Sequence, residues 1–124
     1  MYDLIIKNGT LVTPTSTFCA DLAVKDGKIA AVAEAIEGAA ARTVDAAGKL
    51  VLPGAIDPHT HLAMPFGGTV SADDYYAGTR AAVCGGTTTV FDFALQDFGE
   101  NMVDTIKRRD ALCAPDACCD YAFH

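Results

Sequence analysis

The sequence predicts an α/β protein in two parts. Residues 1–52 read as a small antiparallel β-sheet, one layer of a sandwich, and residues 53–124 as β/α units with parallel strands. Three observations predict this. Short apolar runs separated by Asn-Gly and Asp-Gly pairs fill the first part. Pro53-Gly54 then marks a change of pattern. Beyond it the order is β-α-β-α-β, the sign of parallel strands joined by right-handed crossovers.

In "YDLIIKNGTLV" two apolar runs flank Asn8-Gly9, which reads as a hairpin turn. "DLAVKDGKIAAV" repeats the device at Asp26-Gly27. Leu22 and Val24 alternate with polar neighbours before that turn, and Ile29 and Val32 follow it. "ARTVDAAGKLVLPG" adds two short runs around Gly48. In the second part "AIDPHTH" is a short strand with a polar end. "SADDYYAGTRAAVCGG" reads as a helix, with Tyr75, Thr79, Ala82 and Val83 at helical spacing. Ser71 is its expected N-cap, Asp73 and Asp74 suit its positive end, and Gly85-Gly86 stops it. "TTTVFDFAL" is a β-branched and aromatic strand. "GENMVDTIKRRDALCAP" is a second helix with the apolar stripe Met102, Val103, Ile106 and Leu112, ended by Pro115. "ACCDYAFH" begins a third strand. A third parallel strand with no covering helix leaves an open edge, so the expectation is the front part of a longer protein.

With 124 residues, 51% of them hydrophobic and 20% charged, the chain has the make-up of a globular domain. A net charge of −7 offers no basic footprint for nucleic acid or an anionic membrane. Lys107, Arg108 and Arg109 form the only basic run and read as a solvated helix face. The N-terminus lacks the charged and apolar regions of a signal peptide, and no apolar run approaches the ~18 residues of a membrane span. Five cysteines without a C-x-x-C pair fit reduced thiols in a cytoplasmic protein. Cys84 and Cys113 are expected as small buried hydrophobes, while the adjacent Cys118 and Cys119 diverge.

The chemistry concentrates at "DPHTH". Residues i and i+2 of a strand face one side, so His59 and His61 can meet one divalent metal such as zinc. They sit where the first strand of a β/α series ends, which is where barrel enzymes carry their catalytic groups. Asp57 lies two residues earlier and reads as a residue that orients a ligand or, second to that, binds metal itself. A catalytic zinc needs at least three protein ligands. The remaining histidine, His124, reads either as a rim ligand or as an incidental strand-end residue. Asp92 in "VFDF" reads either as a carboxylate orienting a ligand or as a hydrogen-bonded residue of the sheet. "MPFGGTV" has the make-up of a loop approaching a ligand: Met64 and Phe66 offer apolar contact, Gly67 and Gly68 unusual backbone angles. "CGGTTT" is no phosphate loop, since it precedes a strand and lacks the Lys-Ser/Thr pair.

The stretch "LVLPGAIDPHTHLAMPFGGTVSADDYYAGTRAAVCGGTTTVFDF" resembles the dihydropyrimidinase/hydantoinase family of cyclic amidohydrolases, and "DLIIKNGTLV" with "DGKIAAV" resembles that family's N-terminal β-sandwich portion. The resemblance implies the start of a (β/α)₈ TIM-type barrel carrying two metal ions, usually zinc, within a longer, commonly tetrameric chain. By position His59 and His61 match the H-x-H pair of the more buried metal, and Met64 and Phe66 the start of the loop walling the substrate pocket. The other ligands it implies are a carboxylated lysine, two further histidines and an aspartate, all on later strands, and His124 matches none of them. The implied reaction is hydrolysis of a cyclic ureide: activated water attacks a ring amide, which opens to an N-carbamoyl amino acid. Dihydroorotases resemble H-x-H-x-Arg, where the arginine holds a substrate carboxylate. Here Ala63 stands at that position, which points to an uncharged dihydropyrimidine or 5-substituted hydantoin. Non-catalytic neuronal relatives lack the histidine pair. The competing reading is that these 124 residues are themselves a non-catalytic fragment or assembly module.

Overall fold

The computed structural model describes residues 1–124, which divide into two compact units, Met1–Pro53 and Gly54–His124. No helix is long and apolar enough to cross a membrane.

The first unit is a five-stranded sheet of β1 (Tyr2–Val12), β2 (Thr17–Lys25), β3 (Lys28–Ala33), β4 (Ala40–Asp45) and β5 (Leu50–Val51). Its order is β3-β2-β1-β4, with β5 also on β1. The sheet is mixed, not antiparallel as expected. β2 pairs antiparallel with β1 and β3, but β4 and β5 run parallel to β1. The cause is the connection after β3, which crosses the sheet and returns the chain on the far side of β1. Ile36 of that crossover is buried against Ile5 and Ala23 and closes the core of this unit. The Asp26-Gly27 turn is present, with positive φ at both residues. Asn8-Gly9 is not a turn: β1 runs through it, and the reversal comes at residues 13–16. Asn8 takes φ 60° in a bulge between Ile6 and Gly9. A Cβ on Gly9 would sit 2.6 Å from Val51, so the glycine is what admits β5 to the sheet.

Asp21 ties this unit together. Its carboxylate accepts the backbone N–H of Asn8 in the bulge (2.8 Å) and of Ile36 in the crossover (3.0 Å), with the Lys7 ammonium 4.0 Å away. The Asn8 bond most of all, then the Ile36 bond, holds its pKa below the usual 3.8.

The second unit contains β6 (Ala55–Asp57), β7 (Pro65–Phe66), β8 (Thr69–Val70), α1 (Tyr75–Cys84), β9 (Thr87–Asp92), α2 (Met102–Cys113) and β10 (Asp120–Phe123). β6, β9 and β10 form a parallel sheet in the order β10-β9-β6. Helix α1 begins later than expected. Its N-cap is Asp74, whose side chain accepts the N–H of Ala77 at 2.7 Å. Ser71 instead bonds Met64 across the base of a hairpin. Tyr75 and Thr79 are the buried residues of α1; Cys84, expected inside, is exposed at the helix end.

Helix α2 overturns two expectations together. Its apolar stripe, Met102, Val103, Ile106 and Leu112, faces outward, Met102 at 68% exposure. The buried face is Thr105, Arg109 and Cys113, at i, i+4 and i+8. The basic run is therefore a solvated face only at Lys107 and Arg108, and Arg109 departs from it. Lys107 is exposed. Arg108 grips Glu100 through two bonds of 2.8 and 2.9 Å and lowers that carboxyl to about 2. Arg109, 5% exposed, turns inward to Asp92, which is fully buried.

This pair organises the second unit. Arg109 Nη2 lies 2.8 Å from Asp92 Oδ2. The same carboxylate oxygen accepts the Tyr75 hydroxyl at 2.6 Å, and Asp92 Oδ1 accepts the N–H of Leu62 at 3.3 Å. Arg109 also donates to the carbonyls of Leu62 and Ala63 and lies over the Tyr75 ring, 5.0 Å from its centroid. Leu62, Tyr75 and Cys113 pack around it as the core. Burial first, then the Tyr75–Asp92 hydrogen bond, pushes the Tyr75 phenol up. Burial, with a further contribution from the Asp92 charge, pushes the Cys113 thiol up to about 12.

Two measurements follow from these contacts. Folding lowers the Asp21 pKa, so the native state holds that proton less tightly than the unfolded chain. The stability it confers is complete above the unfolded value and is lost as pH falls through the lower folded one. The urea midpoint of wild-type protein should exceed that of Asp21→Asn above the ordinary carboxylate range, and the difference should shrink as pH falls through the lowered folded value. In the second unit, Asp92→Ala or Arg109→Ala each strands a buried charge and should cost about 3–5 kcal/mol. The double variant should cost less than the sum of the two, measured by urea denaturation of all four proteins.

Candidate metal centre

The histidines lie beyond the strand expected to carry them. β6 ends at Asp57, because Pro58 has no N–H to continue the ladder. They converge nevertheless. Between them Thr60 is pinned to β9: both its N–H (2.8 Å) and its hydroxyl (3.0 Å) donate to the Phe91 carbonyl. His59 and His61 are thereby left together, with their Nε2 atoms 3.0 Å apart. Two imidazole nitrogens about 2.0–2.1 Å from one zinc lie roughly 2.9–3.4 Å apart at the angles such ions accept, so the spacing fits a shared divalent ion. His61 Nδ1 faces the Met64 sulfur at 2.9 Å. A proton on Nδ1 leaves the Nε2 lone pair free, which is the tautomer a metal requires. No group of three or more His, Cys, Asp or Glu side chains converges in this chain, and two histidines fall short of the three protein ligands that a catalytic zinc takes.

Phe93 holds the pair from behind. Its ring stacks on His61 (5.0 Å between centroids, 6° between planes) and meets His59 edge-on at 4.7 Å. The strand pattern sets Phe93 opposite Asp92 and on the same side as Phe91, and this alternation was the signal that could have marked it.

The expected supporting carboxylates act on backbone, not on imidazole. Asp57 Oδ1 accepts the N–H of His59 at 3.1 Å. Asp92 accepts the N–H of Leu62, directly after His61, and of the two readings open for it the contacts are those of a hydrogen-bonded structural residue. His124 bonds the Pro58 carbonyl at 2.8 Å and leans on Phe91 and Phe93, apart from the Nε2 pair. Arg109 and Tyr75 hold the loop from below, and this part in the site escaped sequence reasoning. For Arg109 the signal was the i, i+4, i+8 spacing of Thr105, Arg109 and Cys113, hidden because Thr105 and Arg109 are polar. Tyr75 was read at helical spacing with Thr79, but nothing local announces its bond to Asp92.

The histidines open onto a cavity of about 710 Å³ lined also by Met64, Phe66, Val70, Phe93 and Leu95. Residues 65–70 form a two-stranded hairpin rather than an open loop. Gly67 and Gly68, at φ 59° and 82°, make its two-residue turn. Ser71 closes its base: its N–H donates to the Met64 carbonyl (2.9 Å) and its hydroxyl oxygen accepts the Met64 N–H (2.7 Å). Met64 is buried at the foot of the wall and Phe66 exposed near its tip.

Comparison with known proteins places this architecture. The sequence model of the amidohydrolase family matches residues 50–120. The chain is 49% identical over 120 residues to the D-hydantoinase of Geobacillus stearothermophilus, a match covering 97% of this chain and 26% of that protein. It is 44% identical over 121 residues to dihydropyrimidinase 2 of Caenorhabditis briggsae, covering 97% of this chain and 23% of that protein. A crystal structure of D-hydantoinase superposes with a TM-score of 0.94 at 50% identity, covering all of this chain and 27% of the other. The chain thus spans about a quarter of the length of the curated relatives it matches. It belongs to the amidohydrolase family, as an N-terminal portion of the D-hydantoinase and dihydropyrimidinase kind.

Proposed function

We propose that these residues supply two metal ligands, His59 and His61, and one wall of the substrate pocket of a metal-dependent cyclic amide hydrolase acting on dihydropyrimidines or 5-substituted hydantoins. The observation that carries the reading is the Nε2 pair, 3.0 Å apart, opening onto an apolar cavity at the C-terminal end of parallel strand β6. The relatives' names, D-hydantoinase and dihydropyrimidinase, support it. In this reading β6, β9 and β10 are the first three strands of a (β/α)₈ barrel and residues 1–52 belong to a β-sandwich domain. The remaining ligands to two zinc ions come from later strands. A homotetramer is the assembly the resemblance implies, and the cysteine usage supports a cytoplasmic setting.

The chemistry supplied by a divalent metal held there is activation of water near neutral pH and polarisation of an amide carbonyl. The chain's own groups do the rest of what is visible. His59 and His61 present lone pairs to one point. Phe93 fixes the His61 ring plane and, with Leu95, keeps that side of the cavity apolar. Met64 and Phe66 contact the ring substituent, where each buried methylene contributes about 0.8 kcal/mol.

Ala63 supports a neutral substrate. It takes φ 44° and packs against the Leu62, Tyr75 and Cys113 core, and its methyl side chain carries no charge. A substrate carboxylate would lack a cation at this position, and leaving such a charge unpaired costs several kcal/mol.

The intact hydrolase should prefer dihydrouracil or hydantoin over dihydroorotate by at least roughly a hundredfold in kcat/KM. A preference for dihydroorotate would move the assignment to another branch of the family. His59→Ala or His61→Ala should lose bound metal, by elemental analysis, together with most activity. The 124-residue chain alone should bind zinc weakly and hydrolyse none of the three substrates.

A further inference from the structure

We propose that Arg109 is a positioning residue for the histidine pair: by fixing the backbone of Leu62 and Ala63 from below, its buried guanidinium sets how His59 and His61 meet a divalent metal. The inference rests on the metal reading above and adds to it a residue from the inner face of α2.

The segment carrying the imidazoles is held from two directions. On the strand side Thr60 hangs from the Phe91 carbonyl and the Leu62 N–H from Asp92. On the helix side the only side chain reaching its carbonyls is Arg109, which donates to Leu62 and, at 3.2 Å, to Ala63. Those two carbonyls directly follow His61. Ala63 stands at φ 44°, a region that disfavours any residue with a Cβ, and its own N–H is tied to the Asp73 carbonyl at 2.8 Å. A backbone in that state persists only where its surroundings over-determine it. Releasing the two carbonyls frees the peptides after His61 to relax, and the ring then loses its registry with Phe93 and with His59.

The shape of the guanidinium matters as well as its charge. One planar fork serves Asp92 and both carbonyls at once. Its Nε, buried and without a partner, shows that the group is placed by its two terminal nitrogens. A lysine can neutralise Asp92 but is a point donor, so it separates the stabilising role from the positioning one.

The test uses the 124-residue chain, wild type and Arg109→Lys, with Co²⁺ as the probe and NMR of the histidine rings as the readout. In wild-type protein the His61 ring protons should be shifted by the stacked Phe93 ring, and Co²⁺ should perturb both imidazoles. Arg109→Lys should keep the wild-type pattern of dispersed amide signals, lose the His61 ring-current shift and weaken Co²⁺ binding by about 10–100-fold. Tyr75→Phe removes one hydrogen bond to Asp92 and leaves both Arg109–carbonyl bonds in place, so it should keep the wild-type His61 signals. Arg109→Gln combined with Asp92→Asn, which strands no charge, should lose the His61 ring-current shift and serves as the deciding variant if Arg109→Lys does not fold. Folded Arg109 variants with wild-type His61 shifts and wild-type Co²⁺ affinity overturn the inference. A wild-type affinity no better than that of the His59→Ala/His61→Ala chain removes the metal reading instead, and the metal-free His61 shifts then decide whether Arg109 positions the ring.

Discussion

The second unit depends on one buried ion pair, Arg109 with Asp92. Its members come from α2 and β9, and through Tyr75 and Leu62 they reach α1 and the segment after β6. An apolar pair of similar volume could fill the same space, and such replacements are often neutral or better for stability. Apolar contacts, however, are non-directional. They would leave the Leu62 and Ala63 carbonyls without donors and the Leu62 N–H without an acceptor. What the pair supplies is orientation, delivered to a stretch of backbone that lies outside regular secondary structure. Four elements distant in sequence are fixed against one another by a group of only two side chains and their hydrogen bonds.

Much of this unit was legible because its signals are local. The β-α-β-α-β order follows from a switch between alternating and helical spacing, and the proximity of the two histidines from their separation by one residue. Even so, the strand argument for that proximity was not the operative one. Pro58 ends β6 early, and the Thr60 anchor keeps the imidazoles together. The errors share a cause. Asn8-Gly9 has the composition of a turn, but positive φ serves a bulge equally well, and the choice was made by Val51, over forty residues away. The strand directions of the first sheet were likewise set by a crossover whose burial at Ile36 no local pattern announces.

Helix α2 is the sharpest case. An apolar stripe normally marks the buried side, and here Met102, Val103, Ile106 and Leu112 point to solvent while Thr105, Arg109 and Cys113 point in. Both faces can be understood together. The inner face meets Asp92 and two free carbonyls, which ask for donors. The outer face keeps hydrophobic residues that nothing in these 124 residues covers. A periodicity argument ranks faces by polarity, and it fails where the interior is itself polar.

The hairpin at residues 65–70 has a different standing from the segment below it. Ser71 clasps Met64 at its base, and two glycines close its tip, so its geometry is complete within itself. None of its backbone bonds is shared with the histidine segment. Side chains along its strands can therefore be exchanged without disturbing the imidazoles. The cavity thus has a floor held by the fold and a rim of its own making, where side chains such as Phe66 and Val70 can be replaced without touching the backbone bonds that hold the imidazoles.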